Sequence, residues 1–247
     1  MKQLIYHGDC RNVLDLGLPA QCIFGDPPDN LGLSYAGYSD NLPLGAYVAF
    51  LSEVVTGACS ISDVFWLSYY YKYAPAVYDM AKFVNRDLRH MYWRFTFGQH
   101  RESDFGNGLR PIARFSKAGW TPDTDAVRIE SERQRLGDVR ASPEGRVPDD
   151  CWDFPRVTGN SHERRSWHVT QHPEALMERI YKCSHCSWAI DLFGGTGTSL
   201  RVAERLGIGM LVCEQSSLYC EKMSLQTNAL VTTDLEKVKD FVTLLGG

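Results

Sequence analysis

The chain has 247 residues, 44% of them hydrophobic and 23% charged, with a net charge of −4 at neutral pH. That is enough apolar material for one full α/β domain with an insertion. No apolar run reaches the roughly 18 residues of a membrane span and Met1–Tyr6 reads as a strand, not a signal peptide, so a soluble cytoplasmic protein is expected. The acidic balance argues against a protein that coats nucleic acid through bulk charge, although transient DNA contact needs only a local basic face. The eight cysteines show no disulfide framework and are expected to be reduced packing residues.

In chain order, Leu4–Asp9 reads as a short strand ending in an acid, followed by a helix over Arg11–Leu16. Gln21–Gly25 is a second strand that delivers Asp26 at its carboxyl end, where open α/β sheets place their ligands. A helix over Leu42–Thr56, a strand over Val64–Ser68 and a helix over Pro75–Val84 follow. His90–Phe97 alternates as a strand, and Pro111–Phe115 is predicted to be its antiparallel partner at a sheet edge. The cluster Tyr69-Tyr70-Tyr71-Lys72 is read as packing at a strand end.

Over 116–167 apolar periodicity nearly vanishes, while Gly, Pro, Arg and Asp accumulate. An irregular stretch of that length inside a compact domain is usually functional or disordered, and Trp152 and Phe154 at its middle disfavour plain disorder. Its arginines are interleaved with Glu130, Glu132, Glu144, Asp149, Asp150 and Asp153, so composition leaves its partner open. Pro173–Tyr181 is predicted to be a helix with proline at its start. Cys183-Ser184-His185-Cys186 has half the spacing of a zinc site, but no second Cys/His pair stands nearby, so a solvent loop and no metal are expected.

The strand Trp188–Phe193 runs into Gly194-Gly195-Thr196-Gly197-Thr198, then a helix over Leu200–Leu206 and a strand over Gly209–Cys213 ending in Glu214. Strand, glycine turn, helix, strand and acid is the grammar of a site for an adenosine-containing ligand. The third glycine of the dinucleotide fingerprint is missing, which disfavours a pyrophosphate and suits a ribose without phosphates; S-adenosylmethionine is the ligand that fits. Nearly two hundred residues precede this unit, and Asp26-Pro27-Pro28-Asp29-Asn30 lies within that leading part.

Taken together, these segments resemble the bacterial and phage amino-group DNA methyltransferases, in the arrangement where the catalytic tetrapeptide precedes the cofactor loop. The resemblance is carried by Gly8-Asp9-Cys10, Asp26-Pro27-Pro28, Trp152–Val157, Gly159-Asn160, Glu163-Arg164, Gln171–Ile180 and Asp191–Thr198. It implies a doubly wound, mostly parallel twisted sheet in a single domain, with 116–167 as a target-recognition insertion. S-adenosylmethionine is the implied cofactor. Asp191, Phe193, Gly194, Gly195, Thr196, Gly197, Thr198 and Glu214 are its implied contacts, with Asp9 and Cys10 beside the adenine and His172 at the methionine end.

The resemblance further implies that Asp26, Pro27, Pro28 and Asp29 form the catalytic segment acting on the exocyclic N6 of a flipped-out adenine in DNA. Cytosine N4 is the alternative, as is a weak or inactive DNA-binding relative. An exocyclic amine is a poor nucleophile because its lone pair is delocalised; a carboxylate and a carbonyl accepting its two protons would free that lone pair. Asp29 stands where such enzymes carry an aromatic that stacks on the extruded base, and Tyr35, Tyr38 and Trp93 are the aromatics that could replace it. Arg164 and Arg165 are candidate phosphate contacts. A homodimer is left open, and no membrane partner is implied.

Overall fold

The computed structural model describes residues 2–95, 98 and 101–246. Its chain order is β1 (Gln3–His7), α1 (Cys10–Leu14), β2 (Ala20–Gly25), the short hairpin β3 (Ser34–Tyr35) and β4 (Tyr38–Ser39), α2 (Leu44–Ile61), β5 (Ser62–Ser68), α3 (Ala74–Val84), β6 (Asp87–Phe95) and β7 (Leu109–Ser116). Then come α4 (Glu132–Arg135), β8 (Cys151–Phe154), α5 (Glu174–Cys183), β9 (Trp188–Asp191), α6 (Thr198–Leu206), β10 (Gly209–Glu214), α7 (Ser217–Thr227), β11 (Leu230–Thr232) and α8 (Leu235–Leu244).

Nine strands form one sheet in the order β11-β1-β10-β9-β2-β5-β7-β6-β8. Every pairing is parallel except those of β7, which runs against both β5 and β6. The doubly wound parallel architecture expected from the sequence is therefore the observed one. Side chains of one strand serve both faces, as the two-residue period of a strand requires. Ile23 of β2 faces a core shared with α1, α2, α3 and α8, whereas Cys22 and Phe24 face a second core shared with α5, α6 and α7.

The strand order reverses between β9 and β2. The earlier strands β5, β7, β6 and β8 extend to one side of this pair, and β10, β1 and β11 to the other. Connections leaving the two adjacent tips diverge and open a crevice, which is where open α/β sheets take ligands. Asp26 leaves the tip of β2 and the glycine loop leaves the tip of β9. Leu192 N–H donates to the Phe24 carbonyl at 2.9 Å, so the two tips are tied together.

Three expectations need correction. β7 is not an edge strand; it is held on both sides, and the edge is closed by β8, which emerges from the stretch read as irregular. Trp152 of β8 packs against Trp66 with ring centroids 6.1 Å apart, and that burial explains why four residues suffice as a strand. The predicted strand His90–Phe97 begins earlier, at Asp87, and Thr96 and Phe97 lie outside the described residues. Finally, α2 is 18 residues long with a mean hydropathy of 1.5, so one helix does reach the length and apolarity of a membrane span. Its Tyr47, Leu51, Val54, Val55, Ala58 and Cys59 face belongs to the core around α1, α3 and the sheet.

Candidate active site

Above the β9–β2 crevice lies a cavity of about 510 Å³. Its floor is the glycine loop. Gly194 N–H donates to the Cys213 carbonyl at 2.8 Å, and a Cβ on Gly194 would meet Val212 Cγ1 at 2.5 Å, so only glycine lets β9 turn this close to β10. Gly195 has φ +50 and its missing Cβ faces His168 Nε2 at 3.2 Å. Gly197 caps α6 with φ +71 and leans on Met223, so it shapes the turn and does not line the cavity.

Two buried acids fasten this loop. Glu214, at the tip of β10, accepts from Gly195 N–H at 2.9 Å and from Ser216 N–H at 2.8 Å. Burial raises its carboxyl above the usual range. Asp191 accepts from Phe193 N–H at 3.0 Å and from the Ser199 hydroxyl, and burial pushes its carboxyl up to about 7. An acid whose folded-state pKa is raised binds more protons than the unfolded chain between its ordinary value and the raised one, so it lowers stability as pH climbs through that window. Asp191→Asn is accordingly expected to flatten the thermal stability profile between about pH 4 and 7 relative to the native protein. Thermal unfolding across that range checks it, and identical slopes for the two proteins would refute the assignment.

Asp9, Cys10, Phe193, Thr196 and Thr198 also face the cavity. Asp9 caps α1 and is engaged by the Arg11 guanidinium, which outweighs the effect of burial and holds the carboxyl low. The Cys10 thiol is pushed up to about 12 by burial, so it stays protonated. Tyr35 and Tyr38 line the same cavity from the β3–β4 hairpin, where Asp40 ties the preceding chain by accepting from the N–H groups of Asn30, Leu31 and Leu33. Tyr35 packs on His168 with ring centroids 5.6 Å apart, beside Tyr219.

Asp26 and Pro28 of the Asp26–Asn30 segment also line this cavity. Asp26 Oδ1 accepts from Arg110 Nη2 at 2.6 Å, and His172 Nδ1 lies 3.3 Å from Asp26 Oδ2. Burial alone would raise the Asp26 carboxyl, but the charge of Arg110 and the hydrogen bonds the carboxylate accepts outweigh it and hold the group ionised. His172 is itself lowered by burial and is therefore neutral near pH 7. Arg110 Nε donates to Ser68 Oγ at 2.6 Å, and Ser68 Oγ lies 3.2 Å from His172 Nε2. Three hydrogen bonds and the 3.3 Å approach of His172 to Asp26 link the four side chains. His172 thus belongs to the carboxylate network as well as to the cavity wall.

Asp29 is turned inward. Its two oxygens accept from Arg110 Nη1 at 2.7 Å and Nη2 at 3.0 Å, so one guanidinium bridges both acids. Arg110 is the functional residue that sequence reasoning missed. Two buried carboxylates require a cation, but nothing local says which of the 26 lysines and arginines supplies it, because Arg110 lies 81 residues beyond Asp29. The carbonyls of Pro28 and Asp29 accept from the Tyr47 and Tyr73 hydroxyls. Among the described residues, no donor reaches the carbonyl of Pro27.

Other sequence candidates fall elsewhere. Trp93 is only 5% exposed, donates Nε1–H to the Phe154 carbonyl at 2.8 Å and packs behind His172, so it offers no free stacking face. Arg164 donates to the His168 carbonyl and Arg165 to the Glu163 carbonyl within their own loop, and Arg165 also ties that loop to Gln226 of α7. Cys183 is buried, not part of a solvent loop, and the described residues contain no cluster able to hold a metal. Tyr69 is buried and bonded to His90, and Tyr69, Tyr70 and Tyr71 border a second cavity of about 320 Å³ beside Asp29 and Arg110.

Residues 20–226 match the DNA methylase family of N6 and N4 methyltransferases. The chain belongs to that family. The methylase is 28% identical over 232 residues to the type II methyltransferase M.ScaI of Streptomyces caespitosus, covering 83% of this chain and 74% of that one. It is 28% identical over 250 residues to the DNA adenine methyltransferase YhdJ of Escherichia coli, covering 90% and 81%. Among solved structures, the M1.HpyAVI–SAM complex superposes with a TM-score of 0.67 at 15% identity, covering 91% of the methylase and 98% of that chain. The cytosine-N4-specific PvuII DNA methyltransferase also superposes at 0.67, with 17% identity and coverage of 98% and 91%. At those identities the two structures establish the shared fold.

Proposed function

We propose that this methylase transfers a methyl group from S-adenosylmethionine to the exocyclic N6 of adenine in DNA, with the target base turned out of the helix. The observation that carries the reading is the pair of acceptors at the tip of β2. Asp26 is held ionised, and the adjacent Pro27 carbonyl is the one carbonyl of Pro27–Asp29 that no described donor reaches. An amine bound there donates one proton to each, which frees its lone pair. Consecutive prolines fix both acceptors in advance. The match to an adenine enzyme over most of both chains supports N6, and the Asp form of the tetrapeptide points the same way.

The cavity fits the cofactor. Gly194 and Gly195 line its floor, and Glu214 presents a carboxylate at the tip of β10 for ribose hydroxyls. S-adenosylmethionine supplies an electrophilic methyl on sulfur. The chain's own groups bind and orient the amine, and Asp26 stands next to the proton that the methylated nitrogen sheds. No covalent enzyme intermediate is needed, in keeping with a Cys10 thiol kept protonated. The stretch 116–167 is the assigned target-recognition region, and a cytoplasmic location with access to DNA is part of the same reading.

Mass spectrometry of nucleosides from unmethylated bacterial DNA, incubated with the protein and labelled S-adenosylmethionine, tests the proposal: label in N6-methyladenosine is expected. Label in N4-methylcytosine would overturn the base assignment, and no label would overturn the activity. Calorimetry should show S-adenosylmethionine binding that Glu214→Ala weakens by about 1–3 kcal/mol, since a charged acceptor shared between ribose and Gly195 is lost. Unchanged affinity in that variant would remove Glu214 from the site.

A further inference from the structure

We propose that the guanidinium of Arg110 is the plane on which the extruded target base stacks, held in place by Asp29. The inference rests on the methyl-transfer reading above. An extruded base loses its neighbours in the duplex and needs a flat partner in the protein, which an aromatic ring or an arginine plane supplies. Tyr35 and Tyr38 line the cofactor cavity, and Trp93 is packed behind His172. Arg110 is differently placed. It lies in the wall of the 320 Å³ cavity together with Asp29, Tyr70, Tyr71 and Phe95. Through Nη2 it also touches Asp26, which faces the cofactor cavity. A base entering over Arg110 would therefore present its amino edge to Asp26.

The hydrogen bonds of Arg110 support a platform. Ser68, Asp26 and Asp29 together take four N–H···O contacts, from Nε, Nη1 and Nη2. Guanidinium N–H bonds lie in the plane of the group, so these contacts fix its orientation and leave both faces free of hydrogen bonding. Arg114, Arg156 and Arg179 lie over the rings of Trp120, Phe95 and Phe154, but among the described residues no aromatic ring covers Arg110. Asp29 explains the rigidity. Ser68 and Asp26 hold the guanidinium at one point each, and the second carboxylate clamps it at two further points.

The test uses the full chain and a duplex containing the site mapped by sequencing DNA that the protein has methylated. That duplex carries 2-aminopurine at the target position if the mapped base is adenine, or pyrrolocytosine if it is cytosine, with the demethylated cofactor present. The native protein should give a fluorescence rise on extrusion. Arg110→Lys keeps a cation between the carboxylates but removes the plane, and should weaken the extruded complex by about five- to a hundredfold. Its cofactor affinity, which also reports folding, should stay within about twofold, because no cofactor-loop group bonds to Arg110. The double change Arg110→Leu with Asp29→Tyr removes one cation and one carboxylate together, leaving Asp26, and restores a ring, and should recover most of the signal. An undiminished response in Arg110→Lys, or no recovery in a double variant that still binds cofactor, would overturn the stacking role. Absence of methyl transfer by the native protein would overturn both proposals, whereas transfer with an unaffected Arg110→Lys overturns this one alone.

Discussion

Asp26→Asn should lower the rate of methyl transfer by about a hundred- to a thousandfold, the scale on which removal of one preorganised electrostatic contact acts. The amide is nearly the same shape, so the change isolates the charge. One of its two polar atoms becomes a donor, and that donor must face Arg110, His172 or the amine of the target, none of which welcomes it at that position. Folding should survive, because Asp29 still engages Arg110 through both oxygens. Cofactor affinity should change by no more than about twofold, since the loop that holds the cofactor is fastened by Asp191 and Glu214 and not by Asp26. Single-turnover rates with saturating DNA, set beside calorimetry, separate the two effects. Substantial turnover in the variant would show that the Pro27 carbonyl suffices, or that the amine is held elsewhere.

What the sequence discloses here is what is local. The strand–glycine–helix unit around Gly194 is legible because backbone approach requires glycine at positions a few residues apart, and the position of Asp26 follows from the apolar run that precedes it. The strand order is less local, yet the reversal between β9 and β2 follows once two parallel units meet with their tips side by side. What stays hidden is long-range or too short to have a period. β8 is four residues of alternating exposure inside a polar stretch, and the β3–β4 hairpin has two residues per strand. The role of Arg110 depends on β7 running back between β5 and β6, which sets its side chain opposite a loop some eighty residues earlier. Asp29 shows the difference most clearly. In the sequence it is an acid out of place, and in the fold it is half of an ion pair that repeats around one guanidinium.

Removing that guanidinium should be the most destabilising single change at the site. Arg110→Leu leaves Asp26 and Asp29, whose side chains are 20% and 16% exposed, without their cation. Breaking a buried pair in this way costs about 3–5 kcal/mol, or roughly 6–20 °C in Tm for a chain of this size. The pH dependence distinguishes this cause from a packing defect. In the native protein the folded-state pKa of Asp26 is depressed. Its contribution is therefore fully present above the ordinary carboxylate range and is lost only as pH falls through the lower, folded value. In the variant, burial without a cation acts alone and raises the folded-state pKa, so the folded form takes up protons that the unfolded chain does not. The stability of the variant should then rise as pH is lowered from about 7.5 toward 5, while this group leaves the native protein unchanged over that interval. The raised Asp191 is common to both proteins and cancels in the difference. Thermal unfolding of the two proteins side by side should show the gap closing on acidification, and a gap of constant size from pH 7.5 to 5 would mean that lost packing, and not an uncompensated pair of carboxylates, is what the leucine introduces.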